Sequence, residues 1–203
     1  MAKIRLTKSE LKKQKRGLKR YTQYLPTLQL KKQQLQMEVN KIQSALERER
    51  DAIGKYREAM YKWIDVFGEE VAIRGIFRVK KIRTTGENIA GVDIPVFEGI
   101  DFEIEKYDYL RTPLWVDAGV RALKDMVTLE VKAGILAEQL ELIEQELRTT
   151  SQRVNLFEKV KIPESKENIR KINIFLGDLA TAEVVTGKIA KAKIQKKEAL
   201  AEA

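Results

Sequence analysis

Two of the side chains that carry most enzyme chemistry are missing here: the 203 residues include neither cysteine nor histidine. Thiol nucleophiles, disulfides, zinc sites built on Cys or His, and Ser-His-Asp triads are therefore excluded. Carboxylates remain as candidates for acid–base work, and Glu138, Glu141, Glu144 and Glu146 crowd one stretch. They recur at helical spacing among apolar residues, which makes them a solvated helix face with i,i+4 partners. The nearest approach to a phosphate-cradling loop is Gly86-x-x-x-x-Gly91. A Walker A loop continues with Lys and Ser/Thr to reach phosphate and magnesium, whereas Val92-Asp93 follows here, so the stretch reads as a hairpin turn. No catalytic residue, cofactor, metal or small-molecule ligand is expected.

Charge is the other chemical resource. Lys and Arg number 39 against 30 Asp and Glu, a net of +9. Residues 1–20 hold nine bases and one acid (net +8), and residues 188–203 hold five lysines and two acids (net +3). The ends thus sum to +11 and residues 21–187 carry −2. Clustered bases can neutralise phosphates, but no aromatic platform or groove-reading motif is interleaved with them. A coiled-coil scaffold or nucleic-acid-associated protein using these ends remains the alternative reading. The chain has no run of 18 apolar residues and no apolar signal core after Met1, which predicts a cytoplasmic or peripheral protein.

The element that must position everything else runs from Leu11 to Phe67. One heptad series is Leu11, Leu18, Leu25, Lys32, Val39, Leu46, Ile53, Met60 and Phe67. The other, offset by three, is Gln14, Tyr21, Leu28, Leu35, Ile42, Glu49, Tyr56 and Trp63. Only Lys32, Gln14 and Glu49 break the apolar pattern. A 3.5-residue period is that of a left-handed coiled coil, and the helix would be roughly 85 Å long. Thr7-Lys8-Ser9-Glu10 reads as its capping box. Pro26 predicts a bend, not a stop, and the helix should end between Gly68 and Gly75.

Between residues 74 and 111 the period changes to alternation. Phe77 to Ile82 reads as a strand, Thr84-Thr85-Gly86-Glu87 as a turn, and Asn88 to Ile94 as the return strand closed by Pro95. Asp101 to Glu105 alternates again, as a third short strand. Ile89, Val92, Ile94 and Phe102 exceed what a lone hairpin can bury, so this lobe should lean on the helices and on a partner. Thr112-Pro113 offers an N-cap and first-turn proline. A second heptad series follows: Met126, Ala133, Leu140, Leu147 and Val154, interleaved with Leu129, Leu136, Ile143, Thr150 and Phe157. Pro163 interrupts it, and helical spacing resumes through Ile172 and Phe175 into a stretch of small residues from Gly177 to Ala192. The fold class is mainly α: a long antiparallel two-helix left-handed coiled coil with a small central β-hairpin lobe. Its parts are 1–73, 74–111 and 112–203, the last kinked near Pro163, in one elongated domain.

Particular residues narrow the function. Arg153-Val154-Asn155, Glu158 and Ile162-Pro163 resemble the signature of the D-subunit of the V-type (vacuolar/archaeal-type) rotary ATPases and ATP synthases. Asn88-Ile89-Ala90-Gly91-Val92-x-Ile94-Pro95 is similar to that family's central hairpin, and Thr7-Lys8-Ser9-Glu10-Leu11 to its opening. Leu156-Phe157 departs from the commoner alanine–leucine, as in a bacterial branch. The resemblance implies a non-catalytic central-stalk rotor that couples ATP synthesis or hydrolysis to ion transport. Its implied partners are the A and B subunits of the catalytic ring, the small F-subunit and a membrane-rotor adaptor, on the cytoplasmic face of a membrane. No nucleic acid is expected. Lys188, Lys191 and Lys193 are expected at the ring, and Ile89, Val92, Ile94 and Phe102 at the small partner.

Overall fold

The computed structural model describes residues 4–62, 77–105, 113 and 115–201. Helix α1 is Lys8–Tyr61, strands β1 and β2 are Phe77–Ile89 and Val92–Ile104, helix α2 is Trp115–Asn155, and helix α3 is Ile162–Ala201. A six-residue π turn, Leu156–Lys161, joins α2 to α3. The fold is mainly helical with one two-stranded antiparallel sheet. The expected ends at Gly68–Gly75 and the cap at Thr112 lie outside the described residues, as do Trp63 and Phe67.

The heptads form the buried seam. Every described position of both α1 series is buried or half-buried, including Lys32, Gln14 and Glu49. The same holds for both series from Met126 to Phe157. At the start of α1 the Thr7 hydroxyl accepts from the Glu10 amide (3.3 Å), half of the expected capping box. The other half is not formed, since the Glu10 carboxylate accepts from Gln14 instead (2.9 Å). Pro26 stands inside the continuous α1.

Two compact units are present, and each is described by itself: Lys31–Thr150, and Met1–Leu30 with Ser151–Ala203. In the first, α1 and α2 run antiparallel within one chain. Lys31 pairs with Glu146 (2.6 Å), Gln43 donates to Glu144 (3.3 Å), and Arg57 pairs with Glu130 (3.1 Å), so positions rise on one helix as they fall on the other. Leu35, Val39, Ile42 and Ile143 form the core there, and Leu46, Ile53 and Ala133 extend it. The hairpin seats on this core: Ile94 is 3% exposed inside it, with Ile89, Ala90 and Val92 packed alongside. In the second unit Tyr21 and Phe157 meet ring to ring at 5.1 Å, and Val154 and Ile172 are buried.

Three sequence expectations are corrected in the lobe. The turn is not Thr84–Glu87, which lies within β1; it is Ala90-Gly91, both with positive φ (52° and 81°), a two-residue turn of the type that matches strand twist. The third strand at Asp101–Glu105 is not separate, because 101–104 belongs to β2. Bulges at Lys80 and Glu98 explain the misreading. Each inserts one residue and resets the two-residue alternation, so long strands imitate several short ones. Pro95 does not close a strand either; in a two-stranded sheet both strands are edges, where a missing N–H is tolerated.

The interruption at Pro163 takes the form of the π turn. Asn155 and Ile162 on either side keep right-handed helical φ and ψ, and the Ile162 amide donates to the Phe157 carbonyl five residues back. Proline at position 163 cannot donate and its ring crowds the carbonyl four residues earlier. A wider turn just before it relieves that crowding without breaking the helix.

Candidate functional site

The signature residues fall around two places where regular geometry is interrupted, the π turn and the hairpin turn. Arg153, Val154, Asn155, Glu158, Ile162 and Pro163 sit on and around the π turn. Val154 is buried and Ile162 half-buried, while Arg153, Asn155, Glu158 and Pro163 face outward. Leu156 and Val160 of the turn are 44% and 46% exposed, an apolar surface the heptads did not forecast.

The second group builds the hairpin tip. The Asn88 side-chain carbonyl accepts from the Gly91 amide (3.0 Å), and its NH2 donates to Asp93, which explains why Asn belongs two residues before Gly91's neighbour Ala90. Gly91 carries φ 81° with the Lys31 ammonium 3.8 Å from where a Cβ would stand. The Pro95 carbonyl accepts from the Gln139 amide nitrogen, tying β2 to α2 through a side chain only 7% exposed. Of the four lobe residues singled out as partner contacts, Ile94 is spent inside the chain and Ile89 and Val92 are half-buried against it. Phe102 is elsewhere, stacked on Phe77 at 5.2 Å with the Lys124 ammonium 5.9 Å above its ring.

Lys188, Lys191 and Lys193 are all exposed on α3, as is every residue from Gly177 to Lys196. Lysine is not the whole of that surface: Val184, Ile189 and Ile194 are 58%, 52% and 58% exposed. At the other end of the chain Lys8, Lys12, Lys15, Arg16 and Lys19 line a shallow basic groove on α1 beside Leu11. Among the described residues no group of three or more Asp and Glu is placed to hold a metal ion, and no helix is long and apolar enough to cross a membrane.

The family model for the ATP synthase D-subunit matches residues 10–192. The chain belongs to the ATP synthase D-subunit family. It is 50% identical over 197 residues to a V-type ATP synthase D-subunit from Borreliella burgdorferi, covering 97% of this chain and 98% of that protein. Proteins of the same description from Chlamydia caviae and Chlamydia pneumoniae are each 37% identical, over 96% and 97% of this chain and 95% of theirs. In this member of the D-subunit family, the residues that carried the resemblance therefore sit around a π turn, around a tight turn and, for Thr7 to Leu11, at the start of α1. Sequence reasoning missed both geometries, since Pro163 signals only that a helix is disturbed, and Ala90-Gly91 lacks the Asn-Gly or Asp-Gly that marks such turns.

Proposed function

We propose that this chain is the central shaft of a V-type ATP synthase or ATPase, a non-catalytic component on the cytoplasmic face of a membrane. It transmits torque between a nucleotide-handling ring of A and B subunits and the membrane rotor, with the F-subunit on its side. The observation that carries this reading is the 50% identity with a V-type D-subunit over 97% of this chain. The fold is consistent with it, because a shaft needs a stiff paired helix and no reactive group. Both basic ends belong to one compact unit, where α3 is exposed from Gly177 to Lys196. That surface, lysines beside scattered Val and Ile, suits a ring whose three similar interfaces must each meet a different face of the shaft. The energy is a differential contact, which biases each interface toward a different conformation.

The test is purification of the native complex through a tag on this chain. Nucleotide-binding subunits should co-purify in defined ratio, and a disulfide between cysteines at Gln43 and Glu144 should form within a single chain without dissociating the complex. Tight, steeply salt-dependent nucleic-acid binding by the chain, with no nucleotide-binding subunits attached, would overturn the proposal.

A further inference from the structure

Glu49 occupies an α1 seam position where its neighbours in the series are Ile42 and Tyr56. It is half-buried, and among the described residues it makes no ion pair or hydrogen bond. It lines a cleft of about 380 Å³ between the hairpin and the α1–α2 pair. The walls are apolar, from Ile42, Ile89, Ile94, Val96 and Phe97. Three carboxylates reach the cleft, Glu38, Glu49 and Glu87, against two lysines. Both lysines are engaged: Lys41 pairs with Glu38 (3.2 Å), and the Lys132 ammonium lies 5.5 Å over the Phe97 ring. Among the described residues neither Glu49 nor Glu87 forms an ion pair.

A carboxylate in a half-buried seam gives up apolar burial and some hydration, a cost that a cation arriving from outside would offset. We infer that this cleft receives an arginine side chain of a neighbouring polypeptide, its guanidinium bound by Glu49 and Glu87 and its stem laid along Ile89 and Val96. Arginine fits better than lysine for physical reasons. Its guanidinium is weakly hydrated, planar enough to lie against an aromatic wall, and able to take a carboxylate with two parallel bonds. Its methylenes suit apolar walls below a charged rim. The volume lies in the range of small-ligand sites, with room for a long side chain and its flanking backbone. That the arginine comes from a polypeptide rests on the proposed place of this chain within a multi-subunit complex.

Benzamidine stands in for the guanidinium and benzamide is its neutral control. In ¹H–¹⁵N NMR titrations of the purified full chain, benzamidine should shift the amides of Ile42, Ile89 and Gln139 and saturate on the order of 1 mM. Benzamide should bind about tenfold or more weakly. Glu49→Gln should weaken benzamidine about tenfold without moving benzamide, and Glu87→Gln, on an exposed strand position that tolerates the change, should do so in the same direction. Equal binding of benzamide, or indifference to both variants, overturns the cation site. Saturation-transfer NMR on the assembled complex addresses the occupant: the Glu49-dependent signal should vanish there because the cleft is filled. Undiminished binding to the complex would overturn the polypeptide occupant. Absence of partner subunits from the preparation would overturn the shaft reading and leave the cleft result standing.

Discussion

Ala90 is the single non-glycine residue with positive φ among the described residues. An L-side chain in that region costs roughly 1–2 kcal/mol. Ala90→Gly should therefore stabilise the chain by about 1 kcal/mol in urea unfolding, part of the gain being offset by the freer unfolded glycine. Unchanged or lowered stability would mean that the Ala90 methyl, packed on the hairpin core, is worth more than the strain. Thr150 is a different case of local misfit: it is 1% exposed and its hydroxyl has no hydrogen-bond partner among the described residues. Thr150→Val keeps the shape and removes a desolvated polar atom, with an expected gain of about 1 kcal/mol in thermal unfolding; a loss instead would show that the hydroxyl is bonded after all. At Tyr56 the pKa is raised above 10.0, by burial first, then by the charge of Asp125 and the hydrogen bond to it (3.2 Å). The fold thus favours the neutral phenol. Its contribution is complete below the unfolded value near 10 and is lost as pH rises through the folded one. Asp125→Asn should bring the phenolate absorbance transition of Tyr56 down in pH.

Among elements, the hairpin is part of the helix pair's core more than an appendage to it. Ile94 fills the space between Leu35, Val39, Ile42 and Ile143, so Ile94→Ala should cost about 3 kcal/mol, measured as a shift of the urea midpoint at constant slope. A cost below about 1 kcal/mol would mean that the lobe lifts away without loss. The π turn before α3 responds to Pro163: restoring an N–H with Pro163→Ala should stabilise by about 1 kcal/mol, whereas a fall of several would assign Pro163 to a locally required turn. What was legible in the sequence follows from the range of each signal. Heptads repeat over some fifty residues, so Leu35 or Ile143 could be placed from periodicity alone, and both are 0% exposed. The hairpin turn depends on two residues, and bulges at Lys80 and Glu98 erase the alternation that would have marked strand length. For the cleft, the oddity of Glu49 was visible as a break in the seam. Its companion Glu87 was not, because residues so far apart in the chain meet only through tertiary packing.

For the molecule as a whole, burial is distributed unevenly and function should follow that division. Most of the large buried side chains, Leu35 through Ile53 and Val116 through Ile143, lie in the unit Lys31–Thr150. The other unit buries Val154 and Ile172 together with the polar Ser165 and Asn168, and every residue from Gly177 to Lys196 is exposed. Local opening is easiest where little apolar surface is buried, so amide exchange should be slowest around Leu35–Leu46 and Ile135–Ile143 and fastest beyond Gly177. The same division separates stability from coupling. Truncation after Leu176 removes exposed side chains for the most part, so unfolding of the remainder should change by less than about 0.5 kcal/mol. In the reconstituted complex, however, the truncation should loosen the ring and uncouple hydrolysis from ion transport. Lys188→Ala, Lys191→Ala and Lys193→Ala should each leave assembly intact, because a shaft that turns needs many weak contacts exchanged in sequence, and no single exposed charge holds more than a fraction of them. If any one of these substitutions alone prevents assembly, the end of α3 is a fixed anchor and the turning-contact account fails. If the truncated chain couples fully, this surface has no part in torque and the ring must grip the shaft elsewhere.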